Sequence, residues 1–178
     1  MTIAPIPEAV AAIGRGEIVV VIDDEDRENE GDLIMAAQHA TPEAIAFFVR
    51  HTSGLICAPI TAERATELDL QLMVPVNTES MRTAFTVTVD IRHGTTTGIS
   101  AADRSRTIKA LVDPATLPLD LARPGHIAPL IAREGGVRWR AGPTEAAVDL
   151  ARMAGLTPAG VLCGLVSEHG PERLRRPA

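Results

Sequence analysis

Aromatic side chains are almost missing: they make up 2% of the 178 residues, with Trp139 as the sole tryptophan and no tyrosine. Stacking platforms of the kind that grip single-stranded nucleic acid are therefore excluded. A formal net charge of −6 argues equally against a broad phosphate-binding surface. Lysine is scarcer still, since Lys109 is the only one and arginine carries nearly all the positive charge. Cysteine occurs twice, as Cys57 and Cys163, each within an apolar run and without a CxxC spacing. That excludes the usual zinc and dithiol patterns and reads as buried thiols in strands. No apolar run approaches the ~20 residues of a membrane span. No basic-then-apolar leader opens the chain, so a cytoplasmic setting is expected. Neither GxGxxG nor GxxxxGK[ST] is present, which leaves out the common nucleotide-phosphate loops.

What is there is aliphatic. Hydrophobic residues make up 46% of the chain, enough for a real core in one domain spanning 1–178. Pro7 and the EAVAAI that follows predict a helix closed by Gly14 and Gly16. Strands are predicted over 17–22, 31–37, 55–60, 84–91 and 159–166 from their β-branched or alternating composition. Thr41-Pro42 opens a helix to His51, Thr61 caps another to about Leu68, and Gly142 leads one to Ala154. Ser100-Ala101-Ala102-Asp103 reads as a capping box for a helix ending near Val112. A proline-rich connector is expected over 113–129, and the PERLRRPA tail is expected to fray. Alternating strands and helices predict an α/β (α+β) fold in layers.

The stretch IDDEDRENEGDLI crowds carboxylates around a single arginine. Like charges so close repel unless a cation, a proton or an arginine sits among them. Glu28, Glu30 and Asp32 alternate at spacing two and would share one side of an extended segment. Such oxygens suit magnesium, and Arg27 beside them suits a carboxylate or a phosphate. On charge alone a solvated loop explains the cluster as well, but its place after a predicted strand is where ligands sit in α/β folds. A second candidate is the helix start at Arg138, Arg140, Gly142 and Thr144, where unpaired N–H groups favour an anion. An ordinary glycine-led helix start is the plainer alternative. His126, after a Pro-Gly turn, is placed for proton transfer or for plain surface exposure. The polar residues Thr95 to Thr97, Asp103 and Arg104 fit turn and cap chemistry.

The segments DDEDRENEGDLI, RHTSGLICAPI, TAFTVTVD, GTTTGISAADR, RPGHIAPL, EAAVDLARMAGLTPAGVLC and the late EHG resemble the 3,4-dihydroxy-2-butanone 4-phosphate synthase family over about residues 7 to 170. The resemblance implies a layered α/β/α sandwich and a homodimer whose active sites lie at the subunit interface. It implies conversion of ribulose 5-phosphate to 3,4-dihydroxy-2-butanone 4-phosphate and formate, with magnesium or manganese. By position it makes Glu28 a metal ligand. Arg27, Glu30 and Asp32 become the loop handling substrate hydroxyls and protons. Cys57 and His126 become pocket residues, and Arg140, Gly142 and Thr144 the phosphate-holding segment.

Three positions depart from that pattern. Pro143 stands where the family has a metal-binding histidine, and Gly164 follows Cys163 where the family has a glutamate. Met81-Arg82 replaces Tyr-Gly before Thr83. Catalytic groups are commonly worth about 10²–10⁴-fold each. The departures therefore set the expectation of an enzyme doing enolisation, dehydration or rearrangement on another small phosphorylated or polyhydroxylated compound. In that reading Arg82 is a new anion partner and metal independence stays open. The family's own reaction and a non-catalytic dimeric metabolite binder are the alternatives.

Overall fold

The computed structural model describes residues 3–167 and 173–175. Six strands form one sheet: β1 Val19–Ile22, β2 Gly31–Ala36, β3 Cys57–Ile60, β4 Val89–Ile91, β5 Leu121–Ile131 and β6 Gly160–Gly164. Their spatial order is β1-β2-β6-β3-β5-β4, with β3 and β5 parallel and the other pairs antiparallel. Five α-helices flank it: α1 Ile6–Gly14, α2 Pro42–His51, α3 Ala62–Glu67, α4 Ala101–Val112 and α5 Pro143–Met153.

The alternation of side chains along each strand sorts the apolar residues onto two faces. Leu33 and Met35 of β2 join Val161 and Cys163 of β6 under Ile45 and Phe48 of α2 and Ile108 and Leu111 of α4. Ile34, Ala36 and Leu162 point the other way, under Ile13 of α1 and Ala147, Leu150 and Ala151 of α5. With both faces covered, β2 and β6 are buried along their whole length. The result is the expected α/β/α sandwich. No helix among the described residues is long and apolar enough to cross a membrane.

The caps follow the predicted chemistry. Thr41 Oγ1 accepts from the Ala44 N–H at 3.1 Å, and Thr61 Oγ1 from the Arg64 N–H at 3.1 Å. Ser100 accepts from the Asp103 N–H at 3.0 Å. Only this half of the expected capping box forms. The Asp103 carboxylate accepts instead from the Thr96 hydroxyl at 2.8 Å and the Gly98 N–H at 3.2 Å, tying down the preceding turn.

Two expectations fail outright. The connector over 113–129 contains most of β5, an eleven-residue strand through the sheet. Its prolines are tolerated where the strand has no need to donate: the Pro129 carbonyl accepts from the Thr86 N–H at 3.0 Å. The 84–91 strand is regular only over Val89–Ile91, where the register to β5 shifts between Val89 and Asp90, while Phe85 and Thr86 make isolated bridges to Leu130 and Leu72. Gly125 lies against that shift, where an ideal Cβ would meet the Val89 carbonyl carbon at 2.0 Å. Only glycine allows so close an approach of two backbones. The tail is also not simply frayed. Arg173 and Arg175 pair with Val166 and Glu30 in isolated antiparallel bridges, while the EHG segment and the rest of the tail lie outside the described residues.

Candidate active site

Arginines are what sit among the carboxylates. Arg27 Nη1 pairs with Asp23 Oδ2 and lies 3.2 Å from Glu28 Oε1. Arg173 reaches in from the tail: Nη1 donates to Glu30 Oε2 at 2.7 Å and Nη2 to Asp32 Oδ1 at 3.0 Å. Arg175 Nη2 stands 3.5 Å from Glu30 Oε1. Asp23 organises the loop by accepting from the Glu30 N–H at 3.0 Å and the Glu28 N–H at 3.3 Å. Burial works against its charge, yet these N–H groups and Arg27 together hold it below the usual carboxylate range.

A cavity of about 260 Å³ opens beside this loop, lined among others by Arg27, Glu28, Asp32, Cys57, Arg140 and Thr144. Asp32 is on β2 and only 5% exposed. Burial pushes its carboxyl up to about 6, helped by Glu28 and Asp23 and opposed by Arg173. A group with that proton affinity can take or give a proton near neutral pH. Cys57 on β3 is buried, and desolvation, with Cys163 and Asp32 nearby, pushes its thiol up to about 12. It therefore meets the cavity as a neutral thiol, not as a nucleophile.

The opposite wall is the start of α5. Gly142 is the N-cap, with no side chain satisfying the first N–H groups. A Cβ built on Gly142 would lie 2.5 Å from Arg140 Nη1 and 3.2 Å from Arg27 Nη2, so two guanidinium groups flank the helix end. Thr144 is buried one residue into the helix beyond Pro143. Arg140 is fixed by Glu145 Oε2 at 2.6 Å and Thr83 Oγ1 at 3.1 Å. Glu145 is 1% exposed and also accepts the Arg133 N–H at 2.9 Å. Helix N–H groups plus a pair of arginines are chemically suited to an anion such as a phosphate.

Four candidate side chains do not line the cavity, and the first of them, Glu30, is instead taken up by Arg173 and Arg175. Arg82, with φ of 50°, is exposed and does not line the cavity. The loop it belongs to contributes Glu79 and Thr83 instead. Glu79 accepts from the Met81 N–H at 2.8 Å and the Thr83 N–H at 2.7 Å. The Met81 bond first, then Thr83 and Ser80, outweigh burial and hold Glu79 down to about 2. Arg138 is exposed in a short 3-10 turn, also off the cavity. His126 on β5 sits apart, with Nδ1 2.6 Å from Asp90 Oδ2 and its N–H donating to Asp90 Oδ1 at 2.9 Å. Asp103 and Arg104 serve structure, as the turn anchor described above and a buried contact to the Gly54 carbonyl at 3.4 Å.

Two charged cavity residues escaped the sequence reading. Glu79 carries no local signal. Arg173 does carry one, a basic run that complements the acidic loop across 140 residues of chain. As to metals, no group of three His, Cys, Asp or Glu among the described residues could hold an ion unaided. Pro143 offers no donor. Magnesium needs less: one or two carboxylates, its own waters and substrate oxygens suffice. Glu28 and Asp32, both lining the cavity, fit that requirement.

The 3,4-dihydroxy-2-butanone 4-phosphate synthase family model matches residues 7–178. The chain is 60% identical over 169 residues to riboflavin biosynthesis protein RibBA of Salinispora arenicola, covering 95% of this chain and 40% of that protein. It is 56% identical over 170 residues to 3,4-dihydroxy-2-butanone 4-phosphate synthase of Agrobacterium fabrum, covering 96% of this chain and 80% of that one. A crystal structure of 3,4-dihydroxy-2-butanone 4-phosphate synthase in complex with two magnesium ions superposes with a TM-score of 0.90 at 49% identity, covering 96% of this chain and 82% of that one. The chain belongs to the 3,4-dihydroxy-2-butanone 4-phosphate synthase family. It spans about two fifths of the length of RibBA-type relatives and most of the Agrobacterium protein.

These findings overturn the expectation of a divergent enzyme with altered chemistry. Identity of 56–60% to riboflavin-pathway proteins supports the family's own reaction. The physical reason is that two departures are milder than the sequence suggested. Arg82 is exposed and does not line the cavity, and Pro143 leaves the helix start intact.

Proposed function

We propose that this chain is a lyase converting ribulose 5-phosphate to 3,4-dihydroxy-2-butanone 4-phosphate and formate. The observation that carries the reading is the cavity between the acidic loop and the bare start of α5, carboxylates on one wall and paired guanidinium groups on the other. The phosphate is held by Arg27, Arg140, the first N–H groups of α5 behind Gly142 and the Thr144 hydroxyl. The sugar hydroxyls then lie along Glu28 and Asp32, with Glu30 behind them on Arg173. Asp32, with its carboxyl near 6, takes the proton beside the carbonyl and returns it later in the sequence. Cys57 gives the pocket a neutral wall. Glu28, with water and substrate oxygens, would hold magnesium, which when bound would supply positive charge beside the developing enediolate. The water lost on dehydration is regained when formate is released, so no oxidant or other co-reactant enters.

The chain works as a homodimer. The His126–Asp90 pair, set apart from its own cavity, serves the neighbouring subunit's pocket, with Asp90 fixing the imidazole tautomer. Two free buried thiols accord with a reducing, cytoplasmic compartment. The chain is a single domain over 1–178. The test is to incubate the purified protein with ribulose 5-phosphate, with magnesium or with EDTA, and follow proton and phosphorus NMR. Formate should appear one-for-one with a four-carbon phosphate, only with magnesium. Intact substrate under every metal condition would sink the reading.

A further inference from the structure

Gly164 closes β6 without a positive φ, so its backbone does not call for glycine. Space does. An ideal Cβ there would lie 2.2 Å from Arg173 Nη2, 2.3 Å from Cζ and 2.7 Å from Nε. Any larger residue evicts the guanidinium from its present seat. A glycine inside a buried strand often marks such a close approach.

The seat is specific. From it the Arg173 fork donates to Glu30 at 2.7 Å, to Asp32 at 3.0 Å and to the Gly31 carbonyl at 3.3 Å. Arg173 Nε is buried over Gly164 and has no hydrogen-bond partner among the described residues. The side chain is therefore held by the two carboxylates rather than by a full set of its own bonds. Arg173 and Gly164 both line the cavity, with Asp32 between β1 and β6.

We propose that Arg173 is a positioning residue of this active site, seated in the space glycine leaves at 164, where its fork orients the Glu30 and Asp32 carboxylates. The proposal rests on the reaction assigned above. Glycine at 164 and arginine at 173 are a matched pair: the strand gives up a side chain and the tail supplies one of opposite charge to the usual glutamate. Without it, Glu30 and Asp32 lose their shared counter-charge and the common orientation it imposes.

The test is a double-mutant cycle of G164A and R173A on the full chain. R173A should lower kcat by about tenfold to a hundredfold, as loss of an orienting partner commonly does, with KM little changed. Added guanidinium ion should restore much of the loss. G164A alone should reproduce the defect, and the double variant should be no worse than either single one. Unchanged kcat in R173A, or losses that multiply in the double variant, would overturn the proposal. If the unaltered protein makes no formate, the assigned reaction fails, and the seat is judged by side-chain NMR. An Arg173 Nε–H resonance displaced by G164A then supports the pairing, and an unmoved one refutes it.

Discussion

Replacing Arg140 by methionine tests the proposed phosphate site and the packing beneath it together. Glu145 is 1% exposed and has two partners, the Arg133 N–H at 2.9 Å and Arg140 Nη1 at 2.6 Å. Removing the guanidinium strands a buried carboxylate with one backbone bond. Breaking a buried pair from one side costs about 3–5 kcal/mol. The bond that remains, and the partial exposure of the Arg140 side chain at 17%, place this case at the lower end, at about 3 kcal/mol. For a domain of this size each kcal/mol moves Tm by about 2–4 °C, so R140M should melt roughly 6–12 °C lower. Protein concentration must be held fixed, since the melting of the proposed dimer would depend on it. The double variant R140M/E145Q should recover a large part of the loss, because the uncompensated charge is gone. Phosphorylated substrate should bind weakly to both. The reasoning is refuted if R140M melts within about 2 °C of the unaltered protein, the size of a ~1 kcal/mol surface effect.

Asp32 provides a pH test. Its carboxyl is raised by burial to about 6, so the folded state binds a proton more tightly than the unfolded chain. The native state then holds the extra proton between the unfolded value and about 6, and stability falls as pH rises through that window. D32N should therefore gain on the unaltered protein in urea midpoint from pH 4.5 to pH 7, while losing formate production; a constant difference would count against burial as the cause. Cys57, with its thiol near 12, should resist iodoacetamide at pH 8 in the folded protein and react after unfolding. Rapid native labelling, read by mass spectrometry, would contradict its burial. T41A should cost about 1 kcal/mol, since the Ala44 N–H loses its acceptor, as measured by urea denaturation.

Much of this protein was legible in its residues one after another. Caps at Thr41, Thr61 and Ser100 announced their helices because a hydroxyl and an N–H three residues on are joined locally. The buried strands 31–36 and 160–164 announced themselves by apolar or small residues broken only by Asp32, as a sheet covered on both faces requires. The acidic loop declared a site because so many like charges demand a counter-charge. Gly142 and Arg140 pointed to a bare helix start flanked by guanidinium groups by the same local logic. Family membership, too, was readable in those motifs.

What the sequence could not decide was which partner answers each charge, because those partners are distant in the chain. Arg173 reaches Asp32 across 141 positions, and no local periodicity carries that pairing. Long β5 hid behind its prolines, because whether a strand needs an N–H at a given residue depends on its neighbours in the sheet. His126 and Asp90 find each other only through the pairing of β4 with β5. Arg82 was read as a site residue from its neighbours in sequence, yet its side chain lies outside the cavity that its loop helps to build. Local chemistry is set within a few residues and can be read there, whereas electrostatic pairing and close approach are set by distance in space, which the tertiary structure alone decides.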